Sequence, residues 1–295
     1  MTKVADLLAA GRTFSFEFMP PKNEVEHARL AQTLVELQPL RPSFVSVTYR
    51  GGRSSRARTR DLVVGMLRTT TLTPMAHLIC VAHSRLELAE ILVELRRAGV
   101  ENLMALGGDP PSDADAGIGE LRYAEELVGL ARAIGGFSIG VAAHPAGHPD
   151  SVDLKVDRDH LAGKLELADF AVTQFFYRAS EYVRLVDDLA ARDVDKPVLP
   201  GIMPVTSLAS IPRMAQMGAE VPGDIAARLE AADARGGADA VRREGTDIST
   251  ELCQDLLDQG APGLHFYTLN RSGVTREIYA NLGLGPGGEA VMVSQ

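Results

Sequence analysis

A carboxylate set between two aromatic rings and closed off by a pair of prolines is the first place in this chain where residue type and spacing suggest chemistry. Glu17 lies in Phe14-Ser15-Phe16-Glu17-Phe18-Met19-Pro20-Pro21. Alternation along a strand sends Glu17 to one face and Phe16 and Phe18 to the other, and the prolines end the strand. At the mouth of a closed sheet such a carboxyl is placed for an elevated pKa and for proton donation. The alternative is a structural glutamate paired to an arginine of a neighbouring loop. Asp109 lies in Gly107-Gly108-Asp109-Pro110-Pro111, where glycine lets the backbone approach a ligand closely, or where the aspartate simply forms a turn. Gln174, in Thr173-Gln174-Phe175-Phe176, offers an amide beside aromatic surface, which suits a flat heterocycle or a satisfied internal hydrogen bond equally well.

Thr48, His77, His144, Asn270 and Arg271 fall at or inside expected strand ends. Arg271 can grip a carboxylate with both arms of its guanidinium or form an ordinary salt bridge. His144 and His148 lack a carboxylate or thiolate third ligand, so no metal site is expected. Arg50, Arg53, Arg56, Arg58 and Arg60 form a basic run that can attract the phosphates of a dinucleotide or serve as a solvated helix entrance.

These residues need a scaffold that brings strand ends together. Short β-branched and aromatic runs at 13–18, 43–49, 75–81, 102–106, 137–142, 170–175, 197–203 and 264–269 alternate with amphipathic stretches near 24–38, 58–70, 84–98, 120–134, 158–168, 180–192, 207–217 and 273–282. The seventh crossover is the longest, with further helical patterns near 222–234 and 247–259. Eight strand–helix units in a chain of 295 residues predict an α/β fold of the (β/α)8 TIM-barrel type in a single domain over 1–284, with a flexible tail over 285–295. A doubly wound sheet is the alternative, but no Gly-x-Gly-x-x-Gly turn follows the first strand. The polar, breaker-rich stretch 112–119 reads as a mobile loop.

A net charge of −9 and a pI near 5.3 argue against nucleic acid and against an anionic membrane surface, and favour a small-molecule partner. Two cysteines without metal-ligand spacing, no signal-peptide pattern and no apolar run of the ~20 residues needed to span a bilayer point to the cytoplasm. Oligomeric state is not legible.

Six segments in order resemble the methylenetetrahydrofolate reductase family: the Glu17 segment, Phe44-Val45-Ser46-Val47-Thr48-Tyr49, Ala76-His77-Leu78-Ile79-Cys80, Thr173-Gln174-Phe175-Phe176, Pro200-Gly201-Ile202-Met203-Pro204 and His265-Phe266-Tyr267-Thr268-Leu269-Asn270-Arg271. The resemblance covers nearly the whole chain. It implies reduction of 5,10-methylenetetrahydrofolate to 5-methyltetrahydrofolate, commonly by hydride from a nicotinamide nucleotide through bound FAD. It also implies Glu17 as general acid and Asp109, Gln174 and Arg271 as substrate-binding residues. Flavin-contact positions of the family fall on Thr48, His77, Gly108, Tyr123, Ala124, His144, His148, Asp157 and Lys164.

Some of those positions depart from the family pattern. Gly107 stands where the family has an arginine, His144 where it has a tyrosine, and His160 and Gly163 where it has an asparagine and an arginine. In the long crossover, Ala227 and Leu229 align with a glutamine and a phenylalanine placed over nicotinamide or folate. Each charge-assisted bond lost from a pyrophosphate costs roughly 1.5–3 kcal/mol, so two lost arginines predict weakened FAD. The expectation is therefore NADH or NADPH binding in the flavin's place and passing hydride directly to folate. A conventional FAD enzyme is the second reading, and a folate-binding protein without redox activity the third.

Overall fold

The computed structural model describes residues 2–49, 53–109 and 119–288, with only the backbone of residues 53–55. The predicted mobile loop, apart from Gly119, the tail beyond residue 288, and Arg50 lie outside the described residues. Parallel strands β1 (Thr13–Phe18), β2 (Phe44–Val47), β3 (Pro74–Ile79), β4 (Asn102–Leu106), β5 (Ser138–Ala143) and β6 (Phe170–Thr173) pair in sequence order. β7 (Val198–Leu199) pairs with β6, β8 (Gly201–Ile202) pairs with β9 (Gly263–Tyr267), and β9 returns to β1. Pro200 separates β7 from β8, so the two are halves of one predicted strand that bond to opposite neighbours and bring the sheet round into a barrel. Proline supplies no ladder N–H, which is why the ladder breaks there. Its carbonyl still accepts from the His265 N–H at 3.0 Å.

Alternation now has a direction. Phe16 and Phe18 join the apolar layer between sheet and helices with Leu30, Leu37 and Tyr279. Glu17 and Ser15 therefore face the barrel interior. A separate cluster of Phe44, Met75, Met104, Phe170, Val172 and Leu199 packs with Val4 and Leu8 of α1 (Val4–Ala10). The sequence reading did not anticipate α1. It is tied on by the Val4 and Ala5 N–H groups, which donate to Asn102 Oδ1 and Ser138 Oγ at the start of β4 and β5.

The outer layer holds α2 (Glu24–Leu37), α3 (Arg53–Thr69), α4 (Arg85–Arg97), α5 (Ala124–Ile134), α6 (Leu154–Leu167), α7 (Ala179–Ala190), the short α8 (Ile211–Gln216), α9 (Gly223–Asp258) and α10 (Gly273–Asn281). Asn23 caps α2, and Ser84 with Glu87 forms a capping box on α4. The two helical patterns predicted in the long crossover are one stretch broken at Gly236 and Gly237, where the chain folds back. Arg228 on the first limb reaches both Glu244 and Glu251 on the second, so the limbs form a helical hairpin. At the other end, Pro286–Gly288 forms a turn over Phe14.

Candidate active site

β1 delivers Glu17 to the C-terminal mouth of the barrel with its side chain only 15% exposed. Its Oε2 lies 3.5 Å from His77 Nε2 on β3 and 3.8 Å from His265 Nε2 on β9. Beneath them His265 Nδ1 meets Ser15 Oγ at 2.7 Å, and its Nε2 is 3.4 Å from Ser46 Oγ. Serines, imidazoles and a carboxylate thus form a continuous polar column above the apolar floor. The alternative drawn from sequence, a Glu17–arginine pair, is not present among the described residues. Burial depresses the His77 pKa, against the pull of Glu17, so its ring is neutral and adds no positive charge beside the carboxyl.

Two polar atoms at this mouth are buried and make no hydrogen bond within the protein: His77 Nε2 and Thr48 Oγ1. The register pairs Val47 with Ala76, and one further step sets Thr48 beside His77. Adjacent orphans of this kind are what a bound polar ligand or ordered water would satisfy. Gly201 sits opposite, where an added Cβ would lie 2.3 Å from the Thr173 carbonyl and 2.6 Å from the Tyr267 ring. That side of the mouth is closed by the Tyr267 hydroxyl, which donates to the Thr173 carbonyl at 2.6 Å. Burial, with the nearby Glu17, keeps that hydroxyl protonated.

The other predicted substrate residues are distributed round the rim. Asp109 is exposed just beyond β4. Gly108 before it has φ +89°, and an added Cβ would lie 2.7 Å from Val81 Cγ2, so packing alone already requires glycine there. Gln174 is engaged: its Nε2 donates to the Met217 carbonyl at 3.0 Å and its Oε1 accepts from the Phe175 N–H. A heterocycle that used this amide would have to displace Met217. Arg271 is exposed after β9, while Asn270 beside it is buried and pairs its amide with both the N–H and the carbonyl of Met19 at 2.8 Å.

Several of the positions expected from sequence to contact a cofactor are engaged with the protein itself. Asp157 accepts from the His148 N–H and from Arg158. Arg158, which the sequence reading missed, is 1% exposed; it donates to the carbonyls of His144 and Pro145 and to Asp157 and Asp188. Lys164 donates to the Ala142 carbonyl, and burial lowers its pKa. His144 stacks edge-on with the half-exposed His148 at 4.7 Å. Tyr123 is 68% exposed at the N-terminus of α5, next to Ala124. His160 is exposed and Gly163 has open space round it. In the basic run, Arg56 and Arg60 are spent on Glu94 of α4. Leu229, on the first limb of the helical hairpin, is buried in an apolar cluster with Val205, Met214 and Ile225.

Burial, then His148, pushes the His144 pKa down to about 4. Its folded value thus lies below the ordinary 6.5, so the stability it contributes is complete above about pH 6.5, falls as pH drops toward 4, and levels off below that. An NMR titration should find the His144 imidazole neutral down to pH 5; a midpoint at 6 or above would contradict its burial.

A parallel barrel with a carboxylate–imidazole cluster and orphaned polar atoms at its C-terminal mouth has the architecture of an α/β-barrel enzyme acting on a small molecule. The family model for methylenetetrahydrofolate reductase matches residues 3–283. The chain belongs to that family and is an oxidoreductase. It is 33% identical over 275 residues to 5,10-methylenetetrahydrofolate reductase of Salmonella typhimurium, covering 92% of this chain and 91% of that one. It is 31% identical over 299 residues to methylenetetrahydrofolate reductase (NADH) 1 of Arabidopsis thaliana, covering 96% of this chain and 50% of that longer protein. Among solved structures, an uncharacterized protein from Clostridium thermocellum that binds two copies of 5-methyl-5,6,7,8-tetrahydrofolic acid superposes with a TM-score of 0.65 at 13% identity, covering 94% of this chain and 96% of that one. That likeness is one of fold. No helix among the described residues is long and apolar enough to cross a membrane.

Proposed function

We propose that the protein reduces 5,10-methylenetetrahydrofolate to 5-methyltetrahydrofolate with NADH or NADPH as direct hydride donor, in the cytoplasm. The observation that carries this reading is Glu17, inside the barrel mouth beside a neutral imidazole. The methylene carbon bridges two nitrogens, and breaking one carbon–nitrogen bond requires a proton on the departing nitrogen. Glu17 supplies that proton, and its anion then stabilises the iminium cation left on the other nitrogen. Hydride from the nicotinamide adds to the iminium carbon, completing the methyl group and leaving the oxidised nucleotide. Asp109 and Gln174 would orient the pterin, Gln174 after exchanging Met217 for substrate.

A resident FAD does not fit the expected cofactor-contact positions well. Its pyrophosphate needs charge-assisted donors. The buried cations available there, Arg158 and Lys164, are already bonded to the protein, His144 is uncharged at neutral pH, and Gly107 and Gly163 carry no charge at all. A dissociable nucleotide is a lesser demand, because a co-substrate must also leave after each turnover. Thr48 Oγ1 and His77 Nε2 remain as unsatisfied groups that such a ligand could meet.

Purified protein is expected to be colourless between 300 and 500 nm and to oxidise NADH anaerobically only when methylenetetrahydrofolate is added, with no flavin present. A yellow protein, or one active only after FAD is supplied, would return it to the flavin mechanism. Folate binding without any turnover would make it a binding protein.

A further inference from the structure

The Glu17 carboxyl is not fixed by a close hydrogen bond among the described residues. Its nearest polar neighbours are His77 Nε2 at 3.5 Å and His265 Nε2 at 3.8 Å, so its position is set by the backbone that carries it. That backbone is about to leave the sheet. The β1–β9 ladder ends at the Glu17–Tyr267 pair, and the β1–β2 ladder one step later at Phe18–Val47. Pro20 and Pro21, which follow Met19, have no N–H with which to extend either ladder.

Side chains from the turn after β9 take over where the ladder stops. Thr268 Oγ1 donates to the Glu17 carbonyl at 2.6 Å, and the Asn270 amide accepts from the Met19 N–H and donates to the Met19 carbonyl, both at 2.8 Å. The turn that presents them is strained: Leu269 and Asn270 are consecutive residues with φ +50° and +55°, a conformation disfavoured for any residue with a side chain and least so for asparagine. It is held from behind by the buried Thr33 of α2, whose hydroxyl donates to the Asn270 carbonyl at 2.9 Å. Such strain persists where the surroundings over-determine it, and it gathers at functional sites.

We propose that Asn270 and Thr268 are positioning residues for the proton donor, a side-chain extension of the β1–β9 ladder that fixes the Glu17 backbone and thereby aims a carboxyl held by nothing else. The proposal rests on Glu17 as the general acid.

Anaerobic NADH oxidation with saturating methylenetetrahydrofolate, together with calorimetric binding of 5-methyltetrahydrofolate, tests it. Asn270→Gly tolerates the left-handed backbone but removes the amide, and Thr268→Val keeps the shape but removes the hydroxyl. Each should lower kcat roughly tenfold to a hundredfold, the scale for a small misplacement of a reacting group, and leave folate affinity within about threefold. Thr268→Ser, which keeps the hydroxyl, should retain most of the rate. In a Glu17→Gln background Asn270→Gly should cost nothing further, because the group it aims is already gone. Asn102 makes the same pair of backbone bonds at the opposite end of the barrel, to the Val4 N–H and the Thr2 carbonyl. Asn102→Ala should therefore lower the urea midpoint and spare kcat. Unchanged kcat in both Asn270→Gly and Thr268→Val, loss of folate affinity equal to the loss of rate, or a full additional loss on top of Glu17→Gln would overturn the assignment. If Glu17→Gln itself leaves kcat intact, the general-acid reading falls first and this one with it.

Discussion

Glu17→Gln is expected to lower kcat by roughly a hundredfold to ten-thousandfold, the range for removal of a positioned general acid, while leaving folate affinity within a few-fold. Glutamine keeps the size and much of the hydrogen bonding of the carboxyl but has no proton to release to the departing nitrogen. The surroundings favour a clean result. The nearest groups, His77 at 3.5 Å and His265 at 3.8 Å, do not hold the carboxylate in tight hydrogen bonds, so little structure depends on its charge. His265 is secured independently by Ser15. Single-turnover mixing with saturating folate would separate the chemical step from binding. A variant that loses binding as much as rate would make Glu17 a ligand contact or a support for the column beneath it.

The second large effect concerns a residue far less conspicuous in the sequence. Arg158→Met should cost about 3–5 kcal/mol of stability, as is typical when one partner of a buried ion pair is removed and the other is left uncompensated. Asp157 would lose the guanidinium at 2.7 Å, and the His144 and Pro145 carbonyls would lose donors at 2.9 and 2.7 Å. Since those carbonyls shape the loop that carries His144 and His148, the KM for the nicotinamide nucleotide proposed to bind there should rise as well. Urea unfolding gives the first quantity and steady-state kinetics the second. A loss below about 1 kcal/mol would mean that water or rearranged neighbours replace Arg158 at little cost.

The barrel was readable because each strand of a covered parallel sheet is a short apolar run bounded by breakers. β1 and β4 fall where the pattern puts them, and the remaining strand limits differ by small steps. Other features depended on partners distant in the chain. α1 has only seven residues and no side-chain cap, and it is held by Asn102 and Ser138 about a hundred residues away or more. α5 begins at Ala124 rather than 120 because the Glu126 carboxylate accepts from the N–H groups of Arg122 and Tyr123 and fixes the entry turn. Within the site, alternation required that Glu17 and the flanking rings face opposite ways, but only the closed barrel decides which face is inside. Arg158 stood in a stretch of mixed charge with nothing to separate it from solvated neighbours; its burial comes from the loop that folds over it. Gln174 had two readings in sequence, and the observed bond to Met217 favours the satisfied amide until a ligand competes for it.

The interruption at Pro200 also determines where the strand pairing of the cylinder is shortest. Elsewhere successive strands are laced by longer ladders, whereas the seventh position gives two residues to β6 and two to β9. Side chains brace the short registers: the Gly201 N–H donates to Thr173 Oγ1 at 2.8 Å and the Tyr267 hydroxyl to the Thr173 carbonyl at 2.6 Å. The seam runs past Gly201, Thr173 and Tyr267, beside the carboxylate column. Beside the carboxylate column the barrel is therefore closed by side-chain bonds to Thr173 as much as by strand pairing.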